Sequence, residues 1–131
     1  MSEDGTVEIE LPARPQASRL ARIALDGWLN RTVGPPRADD VRLAAVEIVS
    51  NAIRHARLSS GDTVRLSTAV DDDAIHVEVE QPTPARDVRI VPERERGVTG
   101  GFGLVLVDRV ADRWGADPGP PGRVWFEIDR D

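Results

Sequence analysis

The sequence predicts an α/β (α+β) two-layer sandwich, a mixed, mostly antiparallel sheet with helices on one face. Three observations predict it. Strand-like alternation of apolar and polar residues recurs in four segments, and helical periodicity recurs in three others. The strands bracket the chain and form a central hairpin instead of alternating strictly with helices, which favours antiparallel pairing. The 131 residues are enough for one domain with a real core and few for two, and neither an internal repeat nor a composition shift marks a boundary.

Each element has a local reason. Thr6 to Leu11 alternates strictly, with Val7, Ile9 and Leu11 on one face, and Pro12 and Pro15 end that strand. Ser18 reads as the N-cap of a helix carrying Leu20, Ile23, Ala24, Trp28 and Val33, stopped by Gly34-Pro35-Pro36. Ala38 to Arg57 opens with Asp39 and Asp40, acids suited to a helix N-terminus. Its stripe of Val41, Ala44, Ala45, Ile48, Val49, Ala52, Ile53 and Ala56 has period 3.6.

Asp62 to Val70 and Ala74 to Glu80 are strands joined at Asp71-Asp72-Asp73. From Gln81 to Thr99, three prolines and the charged run Glu93 to Arg96 describe a long loop, a length that in a small domain points to function or disorder. Leu104 to Trp114 is a third amphipathic helix with Gly115 as its C-terminal cap. Asp117 to Gly122 is a turn, and Arg123 to Asp129 is a closing strand with Val124, Phe126 and Ile128 on one face.

Composition removes whole chemistries. The 17 basic residues are all arginine, cysteine is absent, and the only histidines are His55 and His76. A P-loop lysine, a Schiff base, a disulfide, a thiolate metal site and a thiol nucleophile are therefore excluded. Against those 17 stand 23 acidic residues, a net charge of -6 with no basic tract for nucleic acid. No apolar run reaches the roughly 18 residues of a membrane span, and the N-terminus lacks the features of a signal peptide. A cytoplasmic protein, able to meet a basic protein partner, is the expectation.

Chemistry must come from carboxylates, amides, hydroxyls, arginines and backbone, and three features offer it. Glu47, Asn51 and His55 recur at four-residue spacing on one side of the second helix, either as a solvated stripe or as the polar wall of a cleft. Asn is an unusual choice for an exposed helix interior, because its side chain competes for backbone hydrogen bonds. Gly100, Gly101 and Gly103 stand immediately before a helix, either as a hinge or as a place where phosphate approaches backbone N–H groups. The long loop ends beside them, as a lid or as an ordinary surface insertion.

Taken together, these residues resemble a known family. Glu47-Ile48-Val49-Ser50-Asn51-Ala52-Ile53-Arg54-His55-Ala56 resembles the N-box of the GHKL superfamily, the histidine kinase-like ATPase domains, and most of all the anti-sigma factors with serine/threonine-protein kinase activity. Gly101-Phe102-Gly103-Leu104-Val105-Leu106-Val107 resembles that family's second glycine box, and Gly122 to Ile128 its closing strand. The match runs in order along essentially the whole chain.

The resemblance implies a Bergerat-type ATP-binding fold over residues 1–131, with a lid loop over about 81–100. It implies ATP and Mg2+ as cofactors. Asn51 would hold the metal, Glu47 would act as catalytic base toward an accepting hydroxyl, and Gly101, Phe102, Gly103 and Leu104 would wrap the phosphates. Phosphoryl transfer suits this residue set, since it is mostly positioning and charge neutralisation. The implied partners are an alternative sigma factor, sequestered, and an anti-anti-sigma factor, phosphorylated on Ser or Thr, in a partner-switching control of transcription. A homodimer is implied as well.

One position departs from the pattern. Where the family has an Asp that accepts from the adenine amine, with a glycine two residues on, this chain has Gln81 and Thr83. A glutamine carbonyl still accepts, but it is neutral and must be oriented by its surroundings. This leaves a second reading, a degenerate binding module with weak or no ATP binding. A third, a detached sensor-kinase ATPase domain, is disfavoured by the missing dimerisation helices and phospho-accepting segment.

Overall fold

The computed structural model describes residues 6–34, 37–55, 58–59, 61–85 and 102–130. In chain order the elements are β1 (Val7–Pro12), α1 (Ala17–Thr32), α2 (Arg37–His55), β2 (Thr63–Val70), β3 (Ala74–Gln81), α3 (Phe102–Val110), β4 (Arg113–Asp117) and β5 (Gly122–Asp129). The strands form one sheet in the order β1-β2-β3-β5-β4. All of its ladders are antiparallel, so the expected sandwich is present and its sheet is not mixed. The physical reason lies in the connections: β1 and β2 are separated by a pair of helices, which returns the chain in the opposite direction, and β2 and β3 by a tight turn.

Alternation along the strands divides the sheet into two faces. Leu11, Val64, Leu66, Ile75, Val77, Val79, Val124, Phe126 and Ile128 are buried against the helices. From α1 come Ala21, Leu25, Trp28 and Leu29, and from α2 Val41, Ala44, Ala45, Ile48 and Val49, each buried. Burial of each large apolar side chain stabilises the fold by about 1.5–3 kcal/mol relative to exposure. The opposite face carries a lattice of charge. There Arg113 bonds Glu127 and Asp129 at 2.8 and 2.6 Å, and the His76 and Trp125 rings stack with centroids 5.7 Å apart.

Asp71 shapes the β2–β3 turn. Its Oδ1 accepts from the backbone N–H of Asp73 at 2.8 Å and of Ala74 at 2.9 Å, an Asx arrangement that closes the hairpin. Those two bonds, Ala74 first, hold the Asp71 carboxyl below its ordinary value.

Two expectations for helix ends are corrected. The third helix stops at Val110 instead of Trp114, and Arg113 to Asp117 is the edge strand β4. A free edge on β5 is available for pairing, and the Arg113 contacts to Glu127 and Asp129 outweigh the weak helical preference of a short segment. Gly115 is therefore no helix cap. It sits where a Cβ would stand 2.8 Å from Cζ2 of Trp125, so its bare backbone gives the indole room. Ser18 is no N-cap either: α1 begins at Ala17 behind Gln16, with no side-chain cap bond. The Ala17 N–H already donates to Arg14 O at 2.9 Å, so the turn starts earlier and Ser18 falls inside the helix.

Candidate functional site

The second helix is the sequence's longest periodic stripe, and the structure places it between its two helical neighbours and above β3 and β5. Its flank toward α1 is identified by two contacts. Ser50 Oγ lies 2.6 Å from Ser18 Oγ, and Arg42 Nε donates to Asp26 at 2.7 Å. Glu47 and Asn51, one turn apart, lie about 120° around the helix from that flank, given the roughly 100° per residue of an α-helix.

Asn51 is the notable member. It is buried, with 7% of its surface exposed, in the middle of a helix whose other buried residues are apolar. Among the described residues, none donates to or accepts from its side-chain amide. A buried amide without partners costs about 1–3 kcal/mol, and such a group in a native fold calls for an explanation. A ligand supplies one. Glu47, one turn earlier, is half-buried. His55 closes α2, and its side chain lies outside the described residues.

The third helix starts at Phe102, so Phe102, Gly103 and Leu104 form its first turn, two residues earlier than the periodicity predicts. The backbone N–H groups of that turn have no helical acceptor, and the turn itself carries no acidic residue against the positive end of the dipole. That arrangement suits an anion. The side chains of Phe102 and Leu104 lie outside the described residues, as do Gly100, Gly101 and residues 86–99, most of the segment where a lid was expected.

The last candidate, Gln81, ends β3 on the buried face, following Ile75, Val77 and Val79. It is 4% exposed. Its Nε2 donates to Pro84 O at 3.0 Å and, at a longer 3.4 Å, to Thr83 Oγ1. The structure thus gives α2 and β3 one buried amide each, Asn51 and Gln81. Sequence reasoning did not single out Gly122, which is buried beneath the chain that leaves Gln81. The Gly122 N–H donates to Thr83 O at 3.1 Å, and a Cβ there would stand 2.6 Å from both Thr83 O and the Ala85 nitrogen. A glycine opening a strand was the available signal.

Comparison with known proteins gives a family and a fold. The family described as "Histidine kinase-like ATPase domain" matches residues 11–124. The chain is 26% identical over 124 residues to serine-protein kinase RsbW of Oceanobacillus iheyensis, covering 86% of this chain and 78% of that protein. It is 24% identical over 118 residues to serine-protein kinase RsbW of Listeria monocytogenes, covering 81% and 75%. A crystal structure of the RsbU and RsbW domains of a Mycobacterium tuberculosis protein superposes with a TM-score of 0.68 at 19% identity. That likeness covers 95% of this chain but only 32% of the larger one, and it concerns the fold.

Proposed function

The chain belongs to the histidine kinase-like ATPase domain family, and from that premise we propose that it is an ATP-binding anti-sigma serine/threonine protein kinase. In this reading it sequesters an alternative sigma factor and phosphorylates an anti-anti-sigma partner. The similarity to proteins named serine-protein kinase RsbW supports that role. Among the described residues no helix is long and apolar enough to cross a membrane.

The observation that carries nucleotide binding is the Asn51 amide, buried and without a described partner. Its carbonyl oxygen is a hard donor of the kind Mg2+ accepts, and Mg2+ is commonly held by few protein ligands plus substrate phosphates. The residues fit the ion, with Asn51 as its protein ligand. Magnesium bound there would neutralise phosphate charge. The Glu47 carboxylate would take the proton of the partner's Ser or Thr hydroxyl as that oxygen bonds to the γ-phosphorus and ADP leaves. The first turn of α3 would hold phosphate oxygens through its free N–H groups. Gln81 would offer an acceptor to the base.

Calorimetric titration of the purified protein with ATP and Mg2+ tests this reading. Binding at submillimolar nucleotide is expected. A Glu47→Ala variant should keep that binding and lose phosphate transfer to the partner by 10²-fold or more, the scale of a general base. No binding at millimolar ATP would instead support the second reading, a nucleotide-independent binding module, which the uncharged Gln81 favours.

A further inference from the structure

A base takes a proton only from a hydroxyl that reaches it, so an acceptor segment meeting Glu47 also meets the side chains beside Glu47 on α2. One of these is apolar and open to water. Leu43 is 45% exposed, in a helix whose buried stripe runs through Val41, Ala44, Ala45, Ile48 and Val49. At roughly 100° per residue it stands almost opposite that stripe, so it adds nothing to the core. The other large apolar side chains exposed among the described residues, Leu20 and Ile23, belong to α1. A single exposed leucine is ordinary in itself; what matters for this one is its place.

Leu43 precedes Glu47 by four residues, which puts the two within about 40° around the helix and about 6 Å along its axis. Arg54 follows Glu47 by seven residues, within about 20° and about 10 Å along the axis. Arg54 is exposed, and none of the described residues forms an ion pair or hydrogen bond with its guanidinium. Asp40, seven residues before Glu47, continues the same line into the first turn of α2. This ridge of α2 therefore runs acid, apolar residue, Glu47, cation.

We infer that this ridge selects the acceptor segment of the protein partner: Leu43 seats an apolar side chain on one side of the acceptor Ser or Thr, and Arg54 pairs with a carboxylate on the other. The inference rests on the kinase reading above, in which Glu47 meets the acceptor hydroxyl. An extended segment advances about 3.3 Å per residue. Lying along α2 with its hydroxyl at Glu47, it brings the residue two positions away over Leu43. The residue three positions away in the other direction then lies over Arg54. A carboxylate on the Leu43 side would meet Asp40 and Glu47, both of like charge, so the acid belongs on the Arg54 side.

The test is phosphate transfer from ATP, with Mg2+ and the full chain, to synthetic serine peptides. Two parent peptides carry Leu two residues from the Ser and Glu three residues away on the other side, in the two possible orders. Controls replace that Leu by Asn or that Glu by Lys. In at least one order the parent should show a KM about tenfold below the Asn control and about threefold or more below the Lys control, at similar kcat. Leu43→Asn should erase the preference for Leu, and Arg54→Glu should invert the preference between Glu and Lys. ATP affinity, read by calorimetry, should stay constant in both variants; a loss of ATP affinity in place of these changes in preference marks a structural role and overturns the proposal. Equal KM for all peptides, or transfer to none of them with ATP bound, overturns it and leaves nucleotide binding standing. Failure to bind ATP overturns both.

Discussion

Replacing Asn51 by leucine should make the nucleotide-free protein more stable while abolishing its affinity for ATP and Mg2+. Asn51 is 7% exposed, and none of the described residues pairs with its amide, so among them nothing offsets its desolvation cost. That cost is about 1–3 kcal/mol. Leucine has the same branching, with bulkier methyl groups, removes the cost, and gains roughly half a kcal/mol from its better helix propensity. Imperfect fit to the Asn51 cavity offsets this by up to about 1.5 kcal/mol. The net expectation is a stabilisation of about 1–2 kcal/mol. For a chain of 131 residues this raises Tm by roughly 3–10 °C.

Thermal and urea unfolding followed by circular dichroism, without nucleotide, measures the gain, and calorimetry with ATP and Mg2+ measures the loss. Thr68 supplies the contrast. It too is buried and polar, at 4% exposure, but its Oγ1 accepts from the Val7 N–H at 2.9 Å. Thr68→Val should destabilise by about 1 kcal/mol, because it leaves that donor unpaired. If Asn51→Leu destabilises as Thr68→Val does, the amide is a satisfied structural group and the reasoning that assigns it to a ligand is refuted.

Two further outcomes follow from the sheet. Asp71 is held below its ordinary value by the Ala74 and Asp73 N–H groups, and Glu127 is held below its own by Arg113 and then His76. A folded-state value below the unfolded one confers stability that is complete above the unfolded value and lost as pH falls through the folded one. Stability should therefore decline from about pH 4.5 downward, and Glu127→Gln should make that decline shallower in acid titrations followed by circular dichroism. Gly115→Ala would put a methyl group 2.8 Å from the Trp125 ring and tilt it from His76, destabilising by about 1–3 kcal/mol in urea unfolding with a changed near-ultraviolet spectrum. Unchanged stability in Gly115→Ala would show that the indole shifts without penalty.

Much of this molecule was legible in its sequence because periodicity and burial share a cause. The stripe from Val41 to Ala52 is buried in α2, and the alternation of Val124, Phe126 and Ile128 faces the core in β5. What periodicity missed was β4. Arg113 to Asp117 alternates only through Trp114 and Ala116, too short a pattern to mark a strand, and it is held by pairing with β5 and by ion pairs to Glu127 and Asp129. For the site, Glu47 and Asn51 stood out as polar residues within an apolar helix. The Gly122 contact did not, because it depends on residues nearly forty positions apart in the chain meeting at van der Waals distance.

The buried polar residues among those described divide by what satisfies them. Thr68 ties the edge strand β1 to its neighbour, and its replacement costs stability. Gln81 is half satisfied: its nitrogen is tied to the chain that follows, and its oxygen is not. Asn51 is tied to nothing described. A fold selected only for stability has no use for an amide tied to nothing, because an apolar residue would serve α2 better, whereas an apolar residue at Gln81 would lose the bond to Pro84 O. The two amides sit on the helix and the sheet, the opposite layers of the sandwich. A ligand that pairs the Asn51 amide would recover its cost on binding, so Asn51→Leu should raise stability and lower affinity together.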